Sequence, residues 1–154
     1  MNIVLVEPEI PGNTGTIART CAATNTKLHL VRPLGFSLED KYLKRAGLDY
    51  WHLLDVYYYD SFEEMLNMYP KESFHFLTTK AKKSYAEAQY AVDDFLVFGK
   101  ETKGLPEPLL AAHEDQCFRI PMVDLKEARS LNLSNAASIV LYEALKQHNF
   151  TGLR

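Results

Sequence analysis

The run Asp94-Phe95-Leu96-Val97-Phe98-Gly99-Lys100-Glu101-Thr102-Lys103-Gly104-Leu105-Pro106 decides how this chain folds. Asp94 to Phe98 ends in an unbroken apolar stretch, the pattern of a strand covered on both faces in a parallel sheet. It breaks into a loop with a glycine at each end, and Pro106 suits the first turn of a helix that ends near Ala112. Strand, glycine-bearing loop and helix in succession are the unit of an α/β layer fold. Ordinary nucleotide-cofactor folds carry their glycine loop after the first strand. Here the richest glycine loop follows the fifth, which disfavours such a site.

Outward from that loop the alternation continues in both directions. Strands are expected at Asn2 to Val6, Lys27 to Val31, Leu53 to Tyr59, Ser73 to Thr79 and Gln116 to Ile120. Asn13 or Thr14 can cap a helix with apolar positions Ile17, Ala18, Cys21 and Ala22. Ser37 with Asp40 opens a short charged helix that Gly47 closes, and Ser61-Phe62-Glu63-Glu64 is a capping box for a helix to about Tyr69. Leu133, Ala136, Ala137, Val140, Leu141, Ala144 and Leu145 mark a long amphipathic helix whose start is rich in caps: Ser130, Asn132, Ser134 and Asn135. The expected fold is a single α/β domain with a mostly parallel sheet flanked by helices.

Length and composition agree. At 154 residues, 47% hydrophobic and 24% charged, the chain resembles an average globular domain. No apolar run approaches the ~20 residues a membrane-spanning helix needs. Met-Asn-Ile-Val-Leu-Val-Glu-Pro has no basic leader pattern, so the protein reads as cytoplasmic. Seventeen basic against twenty acidic residues give a net charge of −3, so a polyanion must be held by local patches: Lys41/Lys44/Arg45, Lys80/Lys82/Lys83 or Lys100/Lys103. Taken singly, each reads sooner as a solvated helix or loop face. Cys21 and Cys117 form no disulfide framework, and neither they nor the scattered histidines have metal-ligand spacing.

In open α/β sheets ligands settle beyond the carboxyl ends of the strands. Those ends carry Glu7-Pro8-Glu9-Ile10-Pro11-Gly12-Asn13-Thr14-Gly15, Thr78-Thr79-Lys80, the Gly99–Gly104 loop, and Pro121-Met122-Val123 leading to Ser130-Leu131-Asn132-Leu133-Ser134-Asn135. Gly12 to Gly15 matches neither a Walker loop nor a dinucleotide fingerprint. Arg19, about one helical turn past Gly15, suits an anion such as an RNA phosphate.

Asn13-x-Gly15-x-x-Ala18-Arg19, Phe98-Gly99-x-Glu101-x-x-Gly104-Leu105-Pro106, and Ile120-Pro121-Met122 followed by Ser130-Leu131-Asn132-Leu133-Ser134-Asn135-Ala136 resemble the three motifs of SPOUT-class RNA methyltransferases. Over its full length the chain is similar to their short branch, which methylates the ribose 2′-hydroxyl of the tRNA wobble nucleotide. That resemblance implies a deep trefoil knot over about residues 75–148, S-adenosylmethionine as cofactor, a homodimer, no metal, and the anticodon region of tRNA as partner, with cytidine or uridine 34 of leucine tRNAs as target. It implies catalytic roles for Arg19, Glu101 and Asn135. Cofactor contacts fall to Leu77, Thr78, Gly99, Gly104, Ile120, Met122, Ser130 and Leu131, and RNA contacts to Asn13, Arg19, Lys44, Arg45 and Ser134. A guanidinium rarely deprotonates, so Arg19 is expected to bind phosphate and stabilise the developing oxyanion rather than act as base. Two other readings stand beside this one: the same chemistry on another RNA such as rRNA, or a non-catalytic RNA-binding α/β dimer.

Overall fold

The computed structural model describes residues 1–125 and 127–154, and at 47 and 48 the backbone only. Seven strands form one sheet: β1 (Asn2–Val6), β2 (Lys27–Val31), β3 (Val56–Tyr59), β4 (Phe74–Leu77), β5 (Lys83–Ser84), β6 (Phe95–Phe98) and β7 (Cys117–Arg119). They lie in the order β3-β2-β1-β6-β4-β7-β5. Every pairing is parallel, with Asn2 opposite both Lys27 and Phe95. All carboxyl ends therefore emerge on one edge. The helices are α1 (Pro11–Thr24), α2 (Lys41–Gly47), α3 (Phe62–Met68), α4 (Glu107–Ala112) and α5 (Leu133–Gln147).

Alternation along the strands sorts the core into two layers, because successive side chains leave a strand on opposite faces. Ile3, Leu5, Leu28, Leu30, Leu96 and Phe98 point to the layer closed by Ile17, Ala18 and Cys21 of α1 and Ala137, Val140, Leu141 and Ala144 of α5. Val4, Val6, Val31, Phe95 and Val97 point the other way, toward Met65 of α3 and Leu110 of α4. Each such Val, Leu, Ile or Phe side chain contributes about 1.5–3 kcal/mol by leaving water. Burial pushes the Cys21 thiol up to about 12.

The expected strands and helices are present, with four local departures. The α1 helix starts at Pro11, and its N-cap Ile10 has no side-chain cap. Proline has no N–H to satisfy and a φ suited to a first turn, so Asn13 and Thr14 lie inside the helix rather than at its cap. Residues Leu48–Leu53 form a 3-10 helix, and β3 begins only at Val56. Asp40, not Ser37, caps the first turn of α2, accepting from the Tyr42 N–H at 2.8 Å. Asn132 alone caps α5, taking the N–H groups of Ser134 and Asn135. At α3 the Ser61 hydroxyl accepts from Glu64 as expected, while the Glu64 carboxylate reaches back to the Asp60 N–H.

Candidate active site

Adjacent strands β1 and β6 send the chain to opposite faces of the sheet, β1 into α1 and β6 into α4. That reversal opens a crevice at their carboxyl ends. A cleft of about 490 Å³ lies there. All eight residues expected to touch a cofactor line it: Leu77, Thr78, Gly99, Gly104, Ile120, Met122, Ser130 and Leu131. Glu101, Asn13 and Asn132 stand on the same wall.

The glycine loop is built by backbone on backbone. A Cβ on Gly99 would lie 2.1 Å from the Gly104 carbonyl carbon and 2.2 Å from the Leu105 nitrogen, so only glycine passes there. Gly104 itself has φ +68, the left-handed region, and its N–H donates to the Lys100 carbonyl at 2.8 Å.

Three distant loops meet through side-chain hydrogen bonds. Glu101 accepts from the N–H of Glu9 at 2.8 Å, the N–H of Ile10 at 3.0 Å and the Asn13 side-chain amide at 3.2 Å. Its carboxylate thus serves the uncapped start of α1, where partial positive charge gathers. The Asn13 Oδ1 accepts from Asn132 Nδ2 at 3.0 Å, and Asn132 Oδ1 accepts from the Ser134 hydroxyl at 2.5 Å. Glu101, Asn13, Asn132 and Ser134 are therefore one relay. Among the described residues Glu101 makes no ion pair with its neighbouring lysines, and each of its oxygens accepts from at least one of these donors.

Other expected residues fall outside the cleft. Asn135, Ser134 and Arg45 line a shallow depression beside it, with Ile10, Asn13 and Asn132 forming the shared rim. Arg19 is exposed on α1, its guanidinium 4.8 Å from the centre of the Tyr50 ring. Lys44 pairs with Glu39 at 3.0 Å. The run Lys80/Lys82/Lys83 is no bare basic patch: the three lysines pair with Glu107, Glu114 and Asp115. Lys100 likewise pairs with Glu7 at 2.8 Å, and that hydrogen bond raises the Lys100 pKa above its ordinary value. Among the described residues no group of three or more His, Cys, Asp or Glu side chains is placed to hold a metal, and no helix is long and apolar enough to cross a membrane.

The cleft suits a nucleoside bearing a sulfonium. Leu77, Ile120, Met122 and Leu133 are half-buried apolar walls, and the seat at Gly99 brings main chain where a side chain would stand. Flat, largely apolar ligands take such sites, oriented by a few polar groups.

A model of the SpoU rRNA Methylase family matches residues 1–142. The chain belongs to that family. It is 48% identical to a protein of Saccharophagus degradans described as tRNA (cytidine(34)-2′-O)-methyltransferase, over 98% of this chain and 97% of that protein. A solved structure described as giving insights into the 2-OH methylation of C/U34 on tRNA superposes with a TM-score of 0.90 at 43% identity, covering 96% of this chain and 95% of that one. An AdoMet-bound rRNA methyltransferase from Sinorhizobium meliloti aligns with a TM-score of 0.82 at 26% identity, over 94% of this chain and 55% of its own.

Proposed function

We propose that this chain is an S-adenosylmethionine-dependent methyltransferase acting on the ribose 2′-hydroxyl of the wobble nucleotide, cytidine or uridine 34, of tRNA, in the cytoplasm. The observation that carries the reading is the convergence of three sequence-distant motifs on one cleft, hydrogen-bonded to one another through Glu101, Asn13 and Asn132. A relative 48% identical along nearly its whole length carries the name of this activity.

When bound, S-adenosylmethionine supplies an electrophilic methyl group on a positively charged sulfur. Leu77, Ile120, Met122 and Leu131 would wall its nucleoside, with Thr78 and Ser130 offering hydroxyls beside them. An apolar wall favours losing that charge, and fixed loops favour alignment of donor and acceptor, a contribution of about 7–11 kcal/mol in well-oriented systems. The Arg19 guanidinium offers a two-pronged fork for a phosphate next to the target ribose and for the developing oxyanion. Tyr50 braces that guanidinium from beneath. Arg19→Lys keeps the charge and loses the fork; turnover is expected to fall about tenfold or more, read by methyl incorporation at saturating cofactor.

A homodimer and a C-terminal trefoil knot belong to the same reading. Ile139, Tyr142 and Phe150 are exposed on and just beyond α5, a face suited to a second copy of the chain, and two copies pool the cationic side chains of an acidic protein. The end of α5 is held by an internal segment: the Gln147 side chain bonds the backbone at Ala88 and Tyr90, and His148 Nε2 donates to the Tyr90 carbonyl. The knot reading adds that this chain end passes through the loop it is bonded to.

Mapping of 2′-O-methylated nucleotides by mass spectrometry, in tRNA and rRNA from cells with and without the protein, tests the substrate. Loss of the mark at position 34 of leucine tRNAs is expected. An unchanged tRNA map would overturn the assignment.

A further inference from the structure

Beside the relay through Glu101 runs a second set of contacts between the same two loops. The Glu9 carboxylate accepts from the Thr102 N–H at 3.0 Å and from the Thr102 hydroxyl at 2.8 and 3.0 Å. Two residues earlier along both loops, Glu7 pairs with Lys100. The two loops thus exchange carboxylates: Glu101 reaches into the loop after β1, and Glu9 reaches back into the loop after β6. Glu7 and Glu9 do not line the cleft, whereas Lys100 and Thr102 do.

Exposed polar contacts often contribute little, but both ends of this one are backed by main chain. The Glu9 Cα lies 2.8 Å from where a Cβ on Gly35 would stand, and the Gly35 N–H donates to the Pro8 carbonyl at 2.9 Å. At the other end Gly99 is wedged against Gly104. Glu7 holds φ +52, left-handed for a residue with a Cβ, a conformation that persists where surroundings fix it. The Thr102 hydroxyl and N–H together hold the Glu9 carboxyl below its ordinary pKa, with Lys100 and Lys103 adding to the effect. The carboxylate is therefore ionised, and accepts these bonds, across the neutral range.

We propose that Glu9 and Thr102, with Glu7 and Lys100 beside them, are positioning residues: a strut that keeps the glycine loop, the donor wall, in register with the start of α1, the acceptor wall. This rests on the methyltransferase reading above. A strut that aligns two walls acts on turnover more than on the binding of either reactant, since small misplacements are costly in rate.

The test is a double-mutant cycle of Glu9→Ala and Thr102→Val, with Thr102→Ser as the conservative variant and Glu9→Gln should the alanine variant fold poorly. At saturating tRNA and cofactor, kcat is expected to fall about tenfold in each single variant. The double variant is expected to fall no further than Glu9→Ala, because that change already removes the hydroxyl bond that Thr102→Val deletes, together with the bond from the Thr102 N–H. Thr102→Ser is expected to retain turnover, and cofactor Kd by calorimetry to stay within about threefold throughout. Amide hydrogen exchange reads the same strut without turnover: residues 9–14 and 99–104 should both exchange faster in Thr102→Val. Unchanged kcat, losses that add in the double variant, a loss confined to cofactor Kd, or unchanged exchange in either loop would each overturn the strut. Absence of tRNA methylation by the unaltered protein counts against the proposed function instead, and leaves the exchange result to decide the strut.

Discussion

Two polar networks, one within the sheet and one at its carboxyl edge, differ in what surrounds them. At β2, His29 Nε2 donates to Asn2 Oδ1 at 3.0 Å and Nδ1 accepts from the Tyr59 hydroxyl at 2.9 Å, which lies 3.1 Å from the Tyr69 hydroxyl. This tautomer follows from the partners, since the amide oxygen can only accept. The rings of Tyr57 and Phe95 pack on the imidazole, and burial pushes its pKa down to about 4. By residue type, a histidine between tyrosines looks like catalytic machinery. Yet its hydrogen-bonding groups are spent on one another, and the cleft of about 590 Å³ beside it is lined by Asn2 but not by the imidazole or the tyrosines. The Glu101 network carries charge, is half exposed and borders the 490 Å³ cleft. Polar residues mark function where they bound a space, and mark structure where they close on themselves.

That contrast can be broken most forcefully at Gly99. Gly99→Ala drives a Cβ into the Gly104 main chain, and a cost of about 4 kcal/mol or more is expected, with loss of methyl transfer. Urea unfolding and a transfer assay measure both. A stable, active variant would show that the loop gives way.

The histidine network makes a pH prediction of the next size. With a folded pKa near 4 against an ordinary 6.5, the unfolded chain binds more protons between those values. Stability from this group is complete above about pH 7 and is lost as pH falls from 6.5 toward 4, by on the order of 3 kcal/mol. His29→Gln should flatten that slope in urea midpoints while leaving methyl transfer near its original rate. A collapse of transfer at unchanged stability would erase the distinction between the two networks.

Asn132→Ala sharpens the other side. It removes the α5 cap and the link to Asn13, and a destabilisation of about 2 kcal/mol is expected, accompanied by slower transfer. The smallest effect is expected at Lys82, whose pair with Glu114 is 3.3 Å long and largely exposed. Lys82→Ala should alter stability by less than about 0.5 kcal/mol and leave the KM for tRNA in place, because the lysine is already neutralised.

Much of this was legible in the chain itself. Strands β1 and β2 stand at their expected residues and α5 follows its apolar periodicity, since runs covered on both faces and a helix stripe leave plain patterns. The cleft lining was legible through the motifs. What stayed hidden depends on partners far away in sequence. Glu9 meets Thr102 across 93 positions, and no local pattern announces that bond. The acids that neutralise Lys80, Lys82 and Lys83 come from α4 and the turn after it. The two-residue β5 is too short to carry a period. Leu48–Leu53 has apolar and aromatic residues that end up in a 3-10 turn packed beside α1. Asn13 has good capping chemistry, but Pro11 begins the helix before it.

Pairing β1 with β6 joins Asn2–Val6 to Phe95–Phe98. As the polypeptide leaves the ribosome, its opening strand can dock on β2 early but lacks its other neighbour until residue 98 has emerged. Such long-range parallel closure is slow to form, so β1 presents one raw edge of main chain until β6 has been made. Chaperone traffic on this small protein should concentrate on ribosome-bound chains that stop short of that point.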